Sequence, residues 1–513
     1  MTMTHPGLPQ YWGMIIWGFM ALLSVWALWS QTPQSTSQRT LSLATIRFFR
    51  PVIRFLSLSP WPLLLLKIMM VAIFIVVIIA GLYGTSVPER NLATVLTWNI
   101  WWAGLVVSIF FLGSSWCAVC PWDTLATWLV KPRLWLKNKR LKLFNNSLEL
   151  TPPVFLRSVW PALLLFIGLT WLELGVGVTT SPYTTALLSL LMIVLATIAL
   201  ALFKNKAFCR YFCPVGRTVG FYSQLAPVEL RPIKQDICND CTSMECYNGN
   251  ENIEACPTQL VMGSLTQNTY CTSCGNCLQS CPKQNVSWRL RPQSNEAVQN
   301  ARPHWDEAWF MLGLMALTSF HGLTMMPFWE EWISRFGQMI GDSGQLLISF
   351  TAGLLISMVI PAVIYSIAIL MTHWLNKAKH HTSTIWELFT GLVFVTLPLA
   401  FSYHIAHNLN HLVREGAGLQ ALFLNPLGIG TQPLTMMEKH ERHFDMLISQ
   451  DALFAIQGLL MLFGFWIAVK VLRYRAKHFL PDAGWRLFPM YLFIAVINNF
   501  HLWLMMQPMV MRM

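Results

Sequence analysis

A chain of 513 residues that is 55% hydrophobic and 11% charged, with a mean hydropathy of +0.48, has too little polar surface to cover itself in water. These figures exclude an ordinary soluble domain and place most of the chain in lipid. The net charge of +12 lies mostly in the segments between apolar runs and reads as a topology signal and an attraction to an anionic leaflet. No recognition element for nucleic acid accompanies it.

About 20 helical residues cross a hydrocarbon core. Runs of that kind lie near 11–30, 62–83, 94–114, 159–176, 185–203, 308–326, 345–371, 386–411, 450–470 and 486–507. They predict an all-α polytopic membrane bundle of about ten transmembrane helices with membrane lipid as its solvent. Met1–Gln10 carries no Lys or Arg and no small-residue cleavage pattern follows Ser30, so the first run is expected to stay as an anchor. Alternate loops are rich in Lys and Arg: Arg39 to Arg54, Lys131 to Lys142, Lys204 to Arg302, Lys377 and Lys379, and Arg473 to Lys477. The other loops hold only Arg90, Arg335, Arg414, Lys439 and Arg442, with Arg512 at the tail. The positive-inside rule then puts both termini outside and the long polar segment inside, periplasmic and cytoplasmic respectively in a bacterial inner membrane.

Two cysteine pairs arrive at the inner surface on successive inward-running spans. They read Trp116-Cys117-Ala-Val-Cys120-Pro121 and Phe208-Cys209-Arg-Tyr-Phe-Cys213-Pro214, each followed by a short amphipathic stretch. This internal repeat suggests a pseudo-twofold core in which Cys117, Cys120, Cys209 and Cys213 converge on a third redox centre, a cluster or a dithiol. The competing reading is that each reduced pair packs a helix end.

The polar segment from about Lys204 to Trp305 contains ten of the twelve cysteines. Cys271-Thr-Ser-Cys274-Gly-Asn-Cys277-Leu-Gln-Ser-Cys281-Pro282 is the C-x2-C-x2-C-x3-C-P run of two-cluster ferredoxins, in which the fourth cysteine serves the neighbouring cluster. Cys238, Cys241, Cys246 and Cys256-Pro257 repeat that order with longer intervals. Cross-ligation assigns Cys238, Cys241, Cys246 and Cys281 to one [4Fe–4S] cluster and Cys256, Cys271, Cys274 and Cys277 to the other. A structural zinc site and a disulfide framework are the rival uses of such cysteines. The expected insert is a small α+β ferredoxin-like domain over 231–292, between an N-terminal helix and loop (1–60), a membrane core (61–230) and a C-terminal four-span region (293–513).

Hydrophobic hairpins that end in paired cysteines and Pro, followed by a two-cluster insert, resemble the NapH/NosR/CcoG group of membrane polyferredoxins over roughly residues 60–292. The resemblance implies electron passage between the quinone pool or membrane haem and other redox proteins or complex subunits, or a part in metalloenzyme assembly. The chain departs from it in its C-x2-C first pair and in the four spans after the insert, and the flavin chemistry of the NosR type is not expected of it.

The added spans carry His321, His404, His407, His411 and His501 at one expected membrane depth, the outer half. Intramembrane histidines are rare and usually line a site. Paired imidazoles suit haem b, and Met325, Met326, Met436, Met437, Met446, Met505, Met506, Met509 and Met511 on the same side suit copper(I). Packing and carbonyl bonding are the alternative role for each. His440 and His443 read as part of a solvated face, and Glu173 as a proton acceptor for quinol oxidation or an interfacial snorkelling side chain. Three function classes are therefore expected: an electron conduit, a reductase or assembly factor for copper or iron at the outer face, and a redox-sensing regulator. No nucleotide loop or hydrolytic triad is present.

Overall fold

The computed structural model describes residues 4–30, 39–131, 145–377, 383–444, 446–481 and 483–510, with the side chains of 415, 417, 440 and 442–444 left out. Much of the basic loop from Lys131 to Lys142, together with Lys379 and Arg512, therefore lies outside the described residues. So do Met511 and the side chains of His440 and His443.

The apolar runs form helices because only internally bonded backbone is stable in hydrocarbon. In chain order these are α1 (Gln10–Trp29), α2 (Trp61–Tyr83), α3 (Trp102–Leu112), α4 (Pro121–Val130), α5 (Trp160–Leu174), α6 (Pro182–Leu202) and α7 (Pro214–Tyr222). They continue with α8 (Trp305–Leu323), α9 (Pro327–Ile340), α10 (Leu347–Asn376), α11 (Thr396–Glu415), α12 (Gln450–Phe479) and α13 (Phe488–Met506). Proline in the first turn starts many of them, where its fixed φ is helical and its missing N–H costs nothing.

Eight helical stretches among the described residues are long and apolar enough to cross a membrane. The other two expected spans differ in kind. Helix α5 has only 15 residues, and the run at 308–326 breaks after Leu323, where α8 and α9 meet at 96°, as in a broken span or a re-entrant loop. The bundle has a definite inside. In α2, Leu65, Leu66, Met69, Ile75 and Ile79 face outward, whereas α11 is buried almost throughout, packed by α3, α8 and α12.

The first and last described segments meet at one end of the bundle, where β1 (Thr4–His5) pairs antiparallel with β5 (Met509–Val510). The cysteine insert sits at the other end. Its sheet is β2 (Leu41–Ser42), β4 (Val286–Leu290) and β3 (Val228–Pro232), in that order and antiparallel. The insert thus recruits part of the first loop, and the helix Arg50–Leu58 lies against it, accepting a bond from Gln279 at the Leu56 carbonyl (3.3 Å).

A buried ionic knot seats the insert on the bundle. Glu229 on β3 meets Arg231 (3.2 Å) and Arg291 (2.9 Å) and forms a bond with Arg289, while Glu296 meets Arg231 (2.9 Å) and Arg291. Both carboxylates are buried. Arg475 of α12 reaches into the same turn, donating to the carbonyls of Ala297 (2.5 Å) and Ala301 (2.9 Å). Burial opposes ionisation of Glu229, but Arg231, Arg291 and Arg289 outweigh it and hold the carboxyl below its ordinary value.

A depressed folded-state value stabilises above the ordinary carboxylate range, and that contribution is lost as pH falls through the folded value. Glu229→Gln is expected to lower the insert's stability by about 3 kcal/mol at neutral pH, read as earlier protease susceptibility on heating. Because the wild-type carboxyl then protonates too, the deficit should shrink in acid. An equal deficit at every pH would contradict the assigned role.

Candidate iron–sulfur sites and a histidine pocket

All twelve cysteines are free thiols, and they fall into three sets of four. Cys238, Cys241, Cys246 and Cys281 line one cavity of about 70 Å³ under Gly263 and Asn285. The chain reaches it through a left-handed Met244 (φ 44°) ahead of the short helix that carries Cys246. Asn285 donates to two sulfurs, from its side chain to Cys238 (3.4 Å) and from its backbone to Cys281 (3.3 Å). Such N–H···S bonds favour a thiolate. The Cys241 thiol is held below its ordinary value, first by the Met244 backbone N–H, whereas burial pushes those of Cys238 and Cys246 up.

The second set is Cys256, Cys271, Cys274 and Cys277. Cys277 lies in the electrostatic field of the other three and of Cys246. Left-handed Ser273 (φ 50°) and Gly275 (φ 80°) coil this segment, and Leu260 N–H donates to Cys256 Sγ at 3.3 Å. Burial pushes the Cys271 thiol up to about 11, so the negative charge of a bound thiolate there depends on iron. The loop approaches the bundle through Gly220 on α7, where a Cβ would stand 2.0 Å from the Thr269 carbonyl oxygen.

The third set joins the two membrane pairs. Cys120 and Cys209 each lie within the field of Cys213, and Cys117 within that of both Cys213 and Cys271. Ser114 and Ser273 hydroxyls bond across the gap to the second set (2.9 Å). Beside the cysteines, Asp123 pairs with Lys206 and accepts from Cys209 at 3.6 Å, and Arg217 donates to the Cys209 carbonyl (2.9 Å). Among the described residues no three His, Cys, Asp or Glu side chains gather as closely as a single metal ion requires. Four thiolates around an iron–sulfur cube stand farther apart than around a lone tetrahedral zinc with its bonds of about 2.3 Å, so the cysteine sets fit the cube better.

At the opposite end the histidines divide. The rings of His321 and His407 meet edge to face with centroids 5.3 Å apart, as do those of His407 and His411. His404 turns away, its Nδ1 3.2 Å from Tyr222 Oη. His501 stacks on Tyr403 at 4.4 Å and bonds Ser319 Oγ through Nε2 (2.7 Å). The pairs of adjacent rings do not fit a haem, because imidazoles in edge-to-face contact are too close to flank its plane. Nor does the arrangement fit the expected copper face. Met325 alone of the methionines lines that cavity, Met436 and Met437 are exposed, and Met509 bonds Asn410 (3.8 Å).

The cavity brings a carboxylate and several imidazoles together. Glu173 Oε1 lies 3.6 Å from His321 Nδ1, and His411, Trp98, Trp102 and His5 are among the other residues of the wall. Sequence reasoning missed His5, which only the β1–β5 pairing brings there. It also passed over a dense tryptophan run that was visible in the sequence. Trp102 lies 6.0 Å from Trp101, and Trp101 lies 5.6 Å from Trp116 and 5.5 Å from Trp122, centroid to centroid. The rings therefore lead from the Glu173 cavity to the residue beside Cys117.

A family model described as a 4Fe–4S binding domain matches residues 94–142 and 186–226. Those segments hold Cys117, Cys120, Cys209 and Cys213. The chain is an iron–sulfur membrane protein. Relatives include a protein of Escherichia coli (strain K12) described as a candidate electron transport protein, YccM, 28% identical over 30% of this chain and 41% of that one. Two uncharacterised proteins of Methanocaldococcus jannaschii are 26% and 27% identical, over 39% and 36% of this chain and 73% and 75% of theirs. The chain thus spans about two fifths of the length of the bacterial relative. No solved structure matches.

Cys241→Ala, Cys274→Ala and Cys213→Ala should each remove about four irons from anaerobically purified protein, as one [4Fe–4S] site per cysteine set requires. Iron and acid-labile sulfide measured together check this, and full iron in the Cys213 variant would confine the clusters to the insert.

Proposed function

We propose that the protein is a membrane electron-transfer protein of the NapH/NosR/CcoG type, exchanging electrons between the quinone pool and a redox partner that docks on the insert. Its membrane would be a bacterial inner membrane, with both termini periplasmic and the insert cytoplasmic. The observation that carries the reading is the run of ring contacts from Trp102, in the wall of the Glu173–His321 cavity, through Trp101 to Trp116, the neighbour of Cys117 in the chain. The match to a 4Fe–4S binding domain and the resemblance to a relative described as a candidate electron transport protein support it.

When bound, a [4Fe–4S] cluster supplies a one-electron acceptor in each cysteine set. Everything else is done by the chain. A quinol entering beside Trp98 and Trp102 gives up two protons and two electrons and becomes a quinone. Glu173 accepts the two protons one after the other at Oε1, and His321, within 3.6 Å, passes each on toward the exposed Thr180 before the next is taken up. The electrons leave through Trp102, Trp101 and Trp116 toward Cys117. Arg217 and Lys206, beside the cysteines, oppose the negative charge that four thiolates bring into a low dielectric. At the far end Asp240, Thr242 and Ser243 around Cys241 are exposed, so a partner can approach the first set closely.

Glu173→Gln keeps the shape of the side chain and removes its basicity. Quinol-driven reduction of the clusters, followed optically, is expected to slow by roughly a hundredfold with iron content unchanged. Reduction by dithionite should be unaffected. A normal quinol rate in this variant would remove Glu173 from the reaction. Copper co-purifying with the protein, together with loss of the quinol reaction, would favour metal reduction at the outer face.

A further inference from the structure

Where the insert overhangs the bundle, a cavity remains that belongs neither to the cysteine sets nor to the Glu173 pocket. It is about 160 Å³, and its wall includes Arg157, Lys204, Lys206, Arg210 and Tyr211. A second hollow of about 420 Å³ adjoins it, sharing Lys204, Asn205, Lys206 and Pro257. Of the four cations, Lys206 is answered by Asp123. Arg157 Nε donates to the Pro152 carbonyl (2.7 Å), and Arg210 donates to the Thr258 carbonyl. Arg210 Nε is buried and bonds nothing. Among the described residues the wall of this cavity holds no carboxylate of its own, while Glu149 and Glu254 line the adjoining hollow that shares Lys204. Arg157 is exposed, Lys204 and Arg210 are half-buried, and Arg210 also lies over the Tyr211 and Tyr270 rings, so the cavity presents a positively charged wall that an anion can approach.

The level of the cavity says what kind of anion fits. Lys204 follows the end of α6 by two residues and Arg157 precedes the start of α5 by three, so both stand where helices leave the hydrocarbon. Next to Arg157, Val154 and Phe155 are 80% and 75% exposed. We propose that this cavity binds the phosphate of an anionic phospholipid headgroup, with Val154 and Phe155 against the acyl chains. A free phosphate would satisfy the cations but leave those two apolar side chains in water. The site also touches the electron-transfer machinery. Lys206 N–H donates to the Pro257 carbonyl (2.9 Å) and Arg210 lies beside Cys209, so a seated headgroup ties the insert's second cysteine loop to the bilayer surface.

The test uses the full-length, iron-loaded protein in detergent, titrated with phosphatidylglycerol or phosphatidylcholine and read by native mass spectrometry. Wild type is expected to retain one phosphatidylglycerol in preference to phosphatidylcholine, and millimolar inorganic phosphate is expected not to displace it. Arg157→Gln with Lys204→Gln, away from every cysteine, should weaken retention about twenty-five-fold, at about fivefold per basic side chain at the surface. Iron content reports whether that variant folds. If it loses iron, the charge-keeping pair Arg157→Lys and Lys204→Arg is compared with Lys204→Gln alone. Retention by the first and loss by the second is expected. Undiminished phosphatidylglycerol retention on loss of these charges would overturn the site, and displacement by inorganic phosphate would overturn its assignment to lipid.

Discussion

Two carboxylates and two guanidiniums are taken out of water together at the seam between bundle and insert, and how the insert's cysteines sit against those of the bundle depends on how that seam closes. Glu229 and Glu296 are held by Arg231 and Arg291, with Arg289 at the edge, and α12 adds Arg475 to the carbonyls around Glu296. A buried charge is tolerable only when fully paired, which makes the knot demanding about geometry. Shifting β3 or β4 by one residue would turn Glu229 or Arg289 to the opposite face and strand its partners. The register Glu229 to Arg289 is therefore specified electrostatically as well as by the backbone ladder, and it sets where the second cysteine loop lands on α7.

That landing brings together two kinds of cysteine group. The insert builds its cysteine sets from short helices and left-handed turns, a local device suited to a domain too small to hold together by apolar burial alone. The membrane pairs come from the ends of separate helical stretches and need the whole bundle to converge. Gly220 lets the Thr269 carbonyl approach α7, and Ser114 bonds Ser273 across the boundary, so the two cradles become neighbours through close backbone packing.

At the other end, the histidines expected to act as metal ligands are divided by tertiary contacts into different tasks. His404 and His501 are hydrogen-bonded to hydroxyls within the packed interior, where an unpaired polar atom would be costly. His321, His407 and His411 form a series of touching rings that ends at Glu173.

Much was legible from the sequence alone. Apolar runs of bilayer length announce helices because lipid leaves the backbone no other way to satisfy its hydrogen bonds, and C-P spacing announces cysteine cradles because ligands within a few residues of one another are positioned by local chain geometry. The first run, the last run and the four cysteines around Cys274 needed no tertiary knowledge. Other features depend on residues far apart in the chain. Nothing near His5 foretells that β5, some 500 residues later, will pin it into a cavity with Glu173 and His321. Nothing in the first loop shows that Leu41 will extend the insert's sheet. The break between α8 and α9 reads as one continuous apolar run until the surrounding helices fix its bend. Hydrophobicity and spacing are one-dimensional properties and survive in the sequence. Which side chains share a cavity is set by packing among distant elements, and only the folded bundle decides it.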